Sequence, residues 1–533
     1  MMARQSEILE RAVTNPWLIA IGVTIATFME VLDTSIANVS LRYIAGGLSA
    51  AADDSEWIIT SYLAANASVV LLSGWLTTFF GRRNYYLLSL AVFTASSAAC
   101  GFATSLEELI LFRVLQGLGG GGLQPVTQAV LVDTFPAEKQ GQAQALFAVS
   151  ALIAPVLGPT VGGYISDNFG WEWIFLINIP PGLLALWMNY RHLHDPQYLQ
   201  AEHRAMRSRP LNFDWLGLAL IVVSMVCMEV VLSKGQEWDW FSDPFGRVQW
   251  LTLGFFGGLA VLIWWERRHP SPVLNLRPFA DRNFAACGVM GYAIMAITYA
   301  SMILLPGMVQ TLFGYNAVWS GLILSPAGLF SIPAVIASGL LIRKMDARWI
   351  ILVGTTLMAL GAYLYSQITL DVSPSQLIWP RVVQQVGTAS MFAPLSVAAF
   401  LYLPKELRGP ASGIFAALRN EGGSLGTTLG KTIIARRTPV HTDRLAEFLS
   451  PYHGPFNDTY QAVQAYFYQM TGDLQTSGQL ALQALDTLRL QQAVAMAYLD
   501  AFWLFAIGSL FLIPLVFLLR PSRAAEGQHI GVE

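Results

Sequence analysis

Charge and cysteine are both scarce in this 533-residue chain, and each shortage narrows what it can be. Asp, Glu, Lys and Arg make up 12% of it, about half of the ~25% usual in soluble domains. Hydrophobic residues reach 54%, so a water-soluble globular chain is excluded. Cys100, Cys227 and Cys287 are the three cysteines, and all fall inside apolar runs. They read as packing residues, with no disulfide framework. The net charge of −3 carries no basic excess that would point to a nucleic-acid partner. The glycine run Gly117–Gly122 has no strand before it and no Lys-Ser/Thr after it, so it is not a phosphate loop. No Walker motif occurs elsewhere, which argues against direct ATP drive. No cluster has metal-ligand spacing, and the seven histidines fall in predicted loops and tails. The polar start MMARQSEILERAVTNP leads into a full-length apolar span, which is no pattern for a cleavable signal.

What the chain does have is a succession of apolar stretches, each of the ~20 residues that cross a bilayer as a helix. A β-barrel would show weaker, alternating segments of about ten residues. The reading is an all-α polytopic membrane protein. Its fourteen predicted spans run near 17–39, 57–80, 85–104, 108–132, 141–166, 173–190, 214–233, 248–265, 284–308, 319–342, 349–369, 377–402, 411–434 and 497–519. An even number places both termini on one side. Arg82, Arg83, Arg204, Arg207, Arg209, Arg267, Arg268, Arg343, Lys344 and Arg348 lie on that side, against Arg42, Lys234 and Arg247 in the opposite short loops. The positive-inside rule makes the richer side, with both termini, cytoplasmic. The 16 tryptophans read mainly as an interfacial belt, with some expected to line an apolar cavity.

The chain also repeats itself. Phe112-Arg113-Val-Leu-Gln116 through Gly119 recurs as Pro380-Arg381-Val-Val-Gln384 through Gly387, and Pro136 through Ala143 recurs as Pro404 through Ala411. Gly158 and Gly162 fall on Gly426 and Gly430 in the same register. One offset serving three segments divides the chain into parallel repeats of the secondary-transporter kind. The expected domains are a tail 1–16, a six-helix half 17–190, a linker 191–283 with two inserted helices, a second half 284–519, and a tail 520–533. Residues 436–496 form a long, mostly polar loop outside the cytoplasm, with helical periodicity in 462–470 and 480–499. That loop is either a lid on the protein's own outer face or a docking surface for a periplasmic partner.

Charge inside a span costs roughly 2.5–3.5 kcal/mol at the bilayer centre, so each intramembrane charge needs a partner, water or a proton. Glu30 and Asp33 in span 1 are three apart and share a helix face. They read as proton or substrate groups, the alternative being a buried structural pair. Arg113 in span 4 is the plausible partner of Asp33, unless it is anchored to backbone carbonyls. Arg381 is its counterpart, but Glu30 and Asp33 map onto Thr298 and Ser301, so any proton chemistry belongs to the first half. Pro155, Gly158, Pro159, Gly162 and Gly163 lie in the interior of span 5, where they allow close helix approach and bending. Their expected role is gating or sealing between the halves. Gly74, Gly81, Arg82 and Arg83 form a basic turn between spans 2 and 3. Glu229, Arg419, Glu421 and Lys431 complete the predicted buried charges, Glu229 near the outer end of span 7.

Together these residues resemble the major facilitator superfamily, in its fourteen-spanner drug/proton antiporter branch, over nearly the whole chain. LDTSIANVS (32–40) is similar to the branch's span-1 motif, with Ser35 where Thr is usual and Arg42 where Pro is usual. FRVLQGLGGG (112–121) resembles the span-4 motif, whose arginine is implicated in proton coupling; Arg113 inherits that role. APVLGPTVGG (154–163) resembles the span-5 antiporter motif and favours export over uptake. The segments 162–182 and 234–243 look most like inner-membrane pumps of tripartite multidrug exporters. In the loop between spans 2 and 3, Thr78 and Phe79 replace the usual Asp-Arg pair, which puts the family's charge latch in doubt. The resemblance implies two pseudo-symmetric six-helix bundles plus two inserted helices. It also implies proton-coupled export of amphipathic or hydrophobic small molecules from the bacterial cytoplasmic (inner) membrane, driven by the proton gradient without a cofactor. A periplasmic membrane-fusion adaptor and an outer-membrane channel are the implied partners. A proton-coupled uptake symporter and a polytopic membrane enzyme are the alternatives.

Overall fold

The computed structural model describes residues 15–521 except 136, 197–198, 201–213, 270–271, 316, 343 and 450–453. Most of both predicted tails lies outside the described residues, as do Pro136, Arg204, Arg207, Arg209 and Arg343. Among the described residues there is no strand. With single-turn helices left unnumbered, the order begins α1 (Pro16–Gly47), α2 (Trp57–Phe80), α3 (Arg82–Cys100), α4 (Leu106–Gly120), α5 (Leu123–Thr134), α6 (Ala137–Asn168) and α7 (Ile179–His192). Then come α8 (Trp215–Lys234) and α9 (Arg247–Glu266). The remainder is α10 (Arg282–Phe313), α11 (Ala317–Leu341), α12 (Ala347–Ser366), α13 (Pro374–Phe400), α14 (Lys405–Ala446), α15 (Gly454–Thr471), α16 (Leu474–Leu510) and α17 (Ile513–Leu518).

Local sequence explains the starts. Asn15 caps α1 by accepting from the Trp17 N–H, with Pro16 at the first helical position. Ser105, Asp281 and Asp473 cap α4, α10 and α16 in the same way. Between α2 and α3 the chain turns at Gly81, whose φ of +82° lies in the region open to glycine. Along α6 the axis bends by 44° at Pro155, where proline removes a backbone donor.

The two repeats pack alike. In the first, α1 lies along α6, α4 packs on α2 and α3, and α7 touches α1 and α3. In the second, α10 lies along α14, α13 packs on α11 and α12, and α16 touches α10 and α12. The halves join through α2 against α14 and α6 against α11. These crossings are at opposite ends: Gly74 lies against Gly409 and Pro410 at the end holding the α1 N-terminus, and Thr160 against Gly321 at the other. The inserted helices α8 and α9 pair with each other, and α8 also lies against α2 and α14.

Eight described helices are long and apolar enough to cross a membrane by themselves, nine if the bent α6 is included. The other predicted spans also fall on helices, which are shorter, broken or more polar. Side chains such as Trp187, Trp250, Phe256, Trp264 and Phe511 cover the outside, as a lipid-facing surface requires.

The helical periodicity expected at 462–470 and 480–499 falls on α15 and α16, whereas the start of the loop at 436 is corrected. Helix α14 continues to Ala446 and α16 begins at Leu474, so most of that stretch is helix. Two of its polar residues share one acid: Arg437 Nε and His441 Nε2 both meet Asp500 Oδ2, at 2.5 and 2.7 Å. Helix α15 packs on α16 and buries no residue of its own.

Candidate functional site

Among the largest fully buried side chains are two guanidiniums, Arg113 and Arg381. A cation at such depth must be explained by what surrounds it. Arg113 Nη1 donates to Asp33 Oδ2 at 2.6 Å and to Gln116 Oε1 at 2.7 Å, and Nε donates to the Ile58 carbonyl at 3.2 Å. The guanidinium lies 4.1 Å from the centre of the Tyr62 ring, within cation–π range. Asp33 Oδ1 accepts from Gln116 Nε2 at 3.0 Å and from Asn178 Nδ2 at 2.7 Å. Asn178 is itself held on Ser97 Oγ at 3.0 Å. Every group around Asp33 is therefore a donor. A proton there would remove the charge facing Arg113 and set a hydroxyl among donors.

Glu30 shares the helix with Asp33 but not its partners. Its Oε1 accepts from Asn66 Nδ2 at 3.2 Å, and Gln124 is also within hydrogen-bonding reach. Gln124 lines a central cavity between the halves, together with Val31, Pro155, Met295, Tyr299, Phe392, Arg381 and Arg419. The two acids thus face different surroundings, Asp33 a closed polar network and Glu30 the back of the cavity wall.

The span-5 motif sits beside Asp33. Ser35 Oγ donates to the Pro155 carbonyl at 3.1 Å, and a Cβ on Gly158 would fall 2.1 Å from Ser35 Oγ. One turn further, a Cβ on Gly162 would meet Ile36 at 3.1 Å. These glycines press α6 onto α1 within the first half, while Pro155 of the same motif lines the cavity between the halves. This helix meets the other half at Thr160, next to Pro159, and at Phe147, whose ring lies 5.9 Å from that of Phe392. Gly163 is buried on the same helix.

In the basic turn, Arg82 Nη1 pairs with Asp133 Oδ2 at 2.5 Å, tying α3 to the end of α5. Arg83 donates from Nη2 to the Tyr190 carbonyl and from its backbone N–H to Asp195 Oδ1, both at 2.7 Å. A latch therefore exists without the family's usual acid. Gly74 serves the crossing of the halves instead.

The second half repeats the first without its acid. Arg381 Nη1 donates to Gln384 Oε1 at 2.9 Å, and Gln384 Nε2 donates to Ser301 Oγ at 2.8 Å. Gln384 and Ser301 stand in the register of Gln116 and Asp33. Arg419 is surrounded by the rings of Phe392, Phe415 and Phe147 at 4.9, 5.4 and 5.8 Å. Glu421 turns elsewhere: it lies within hydrogen-bonding reach of Glu229, whose Oε2 accepts from Ser424 Oγ at 2.8 Å. Glu229 is thus buried between α8 and α14. Lys431 is exposed, which corrects its place among the buried charges.

Sequence reading missed Gln116, Asn178, Asn66 and Tyr62. Gln116 follows Arg113 by three residues on one helix face, a signal that was available. Asn178 and Asn66 are neutral amides from other helices, with no such signal.

The Major Facilitator Superfamily profile matches residues 23–427. The chain is 34% identical over 515 residues to the multidrug export protein EmrB of Haemophilus influenzae, covering 96% of each. It is 33% identical over 521 residues to the multidrug export protein EmrB of Escherichia coli strain K12, again covering 96% of each. Among solved structures it resembles the proton:xylose symporter XylE, with a TM-score of 0.57 at 13% identity over 94% of this chain and 95% of that one. This last likeness concerns the fold alone. The relatives are transporters, and the fold, the motifs and the matches converge: the chain belongs to the Major Facilitator Superfamily, as a multidrug export transporter of the EmrB type.

Proposed function

We propose that Asp33 and Arg113 are the proton-coupling pair of this exporter, and that Glu30 serves as the cavity-side carboxyl from which a proton passes inward. The observation that carries this reading is the fully buried Asp33–Arg113 contact at 2.6 Å, closed by Gln116 and Asn178. Buried charge pairs are poor sources of stability but strong switches, because protonating one member leaves the other uncompensated. The mechanical output is adjacent. Asp33 is two residues from Ser35, which holds α1 to the carbonyl of Pro155 at the bend of α6, and α6 carries Thr160 into the other half. Neutralising Asp33 frees Arg113, loosens the packing of α1 on α6 and shifts the crossing of the halves. An inward proton falling through 100 mV supplies about 2.3 kcal/mol.

Both termini are placed in the cytoplasm and the protein in the bacterial cytoplasmic membrane, supported by the distribution of basic residues. The domains are the two six-helix halves, 17–190 and 284–519, with the inserted pair between them. The α15–α16 hairpin projects on the opposite side, where it is available to a periplasmic adaptor leading to an outer-membrane channel. In everted vesicles an imposed ΔpH should drive accumulation of an amphipathic dye by the wild type. Asp33→Asn should abolish it while the protein still inserts and melts cooperatively. Full ΔpH-driven transport by Asp33→Asn would refute the role.

A further inference from the structure

We infer that Glu229 and Glu421 form a second proton-binding site, between the inserted helix α8 and α14 and apart from the central cavity. One proton shared by their carboxyls docks α8 on the second half. Both glutamates are almost wholly buried, at 2% and 7% exposure. Their carboxyl groups lie within hydrogen-bonding reach of each other, and no lysine or arginine balances either one among the described residues. Nor does any donor among them reach Glu421 Oε2. Ser424 Oγ donates to Glu229 Oε2 at 2.8 Å, and Thr428 Oγ donates to the Leu232 carbonyl at 2.7 Å. Glu421, Ser424 and Thr428 thus form one stripe of α14, turned to Glu229 and Leu232 on one face of α8.

Two buried carboxyls do not meet in this way without a proton. An ionised pair offers acceptors only, and like charges in contact inside apolar packing repel strongly. A proton on Glu421 turns the contact into an O–H donating to the Glu229 carboxylate, a charge-assisted hydrogen bond. It leaves a single negative charge, which Ser424 also supports. The proton belongs to the pair rather than to either residue. No neighbouring charge takes its place. Arg419 of α14 is turned to the rings of Phe147, Phe392 and Phe415. Lys234 of α8 pairs with Glu237 and Glu56. On α9, Arg247 is held by Asp243, and Glu266 accepts from the Leu274 N–H. On the other helices packed against α14, Tyr62 of α2 covers Arg113, Asp133 of α5 pairs with Arg82, and Asp500 of α16 pairs with Arg437. Tyr292 of α10 lies near both glutamates and brings no positive charge. Helix α8 lies against α2 of the first half as well as α14 of the second, so the shared proton stands where the inserted pair bridges the halves. Parting α8 from α14 releases that proton to water and leaves two charges that oppose redocking.

The test is reversible unfolding of the purified full-length protein in mixed detergent micelles, followed against pH. Unfolded, both glutamates are ionised above about pH 6; folded, the pair keeps one proton. While it does so, each pH unit should cost the wild type about tenfold in its folded-to-unfolded ratio relative to Glu421→Gln. Glu421→Gln keeps an N–H donor for Glu229, so it should stay docked and lose that extra pH dependence. Glu229→Leu combined with Glu421→Leu replaces the whole pair by apolar side chains, an exchange that buried charge pairs tolerate. It should show the same shallower slope, and it decides if Glu421→Gln does not fold. In infrared spectra at neutral pH the wild type should show one more protonated carboxyl than either variant. Equal pH slopes in wild type and variants, or an equal carboxyl signal, would overturn the inference. Asp33 and Glu30 are present in all three proteins, so failure of the transport role of Asp33 leaves this comparison standing.

Discussion

Arg113 and Arg381 occupy corresponding places in two similarly packed halves, yet one faces Asp33 and the other Ser301. The scaffold around them is otherwise shared: each guanidinium is tied to a glutamine one turn on, and each glutamine reaches across to the first helix of its half. A single carboxylate therefore separates a guanidinium paired with a buried acid from one that lines the cavity with no acid partner among the described residues. The difference teaches that duplication supplied the frame and divergence divided the labour. The first half holds the buried acid–arginine pair, and the second sets its arginine on the cavity wall.

Removing each arginine sharpens that contrast most. Arg113→Gln leaves Asp33 buried opposite an amide, and should cost about 3–5 kcal/mol, as breaking a buried pair does. Arg381→Gln removes a cation that has no counter-ion, and should leave the melting temperature in mild detergent unchanged or raised. Equal losses at the two positions would break the comparison.

The small-residue seams offer a second, milder contrast. A Cβ at Gly426 meets the Ala296 carbonyl oxygen at 1.9 Å, a backbone atom that cannot swing aside. At Gly158 the nearest atom is the Ser35 hydroxyl, at 2.1 Å. Gly426→Ala should therefore destabilise by at least the ~1–3 kcal/mol of overpacking. Gly158→Ala should cost less and be partly rescued by Ser35→Gly. A rescue that fails would mean the two seams do not differ as described.

The smallest effect on the fold is expected from replacing 454–471 with a flexible linker, since α15 buries nothing of its own. Insertion and melting should be preserved, and co-purification with an adaptor lost. Unchanged co-purification would count against a docking role for the hairpin.

Much of this was legible beforehand because charge in an apolar span has few explanations. Asp33 and Arg113 stood out for that reason, and their pairing followed from the need of a buried guanidinium for a counter-group. The amides that complete the network did not stand out, since neutral polar residues carry no comparable cost on insertion. The end of α14 was set early because the stretch after 434 is mostly polar; there Arg436 pairs with Asp239 in the turn after α8, and Arg437 with Asp500 on α16. The Glu229–Glu421 pairing was hidden for a related reason. It depends on how the inserted helix α8 docks on α14, which no local pattern encodes.

The most direct test of the division of labour separates movement of substrate from its coupling to protons. In proteoliposomes, Asp33→Asn should retain substrate-for-substrate exchange across the membrane while losing both ΔpH-driven accumulation and substrate-induced proton flux. Retention of proton flux by Asp33→Asn, at the wild-type ratio to substrate, would contradict the account.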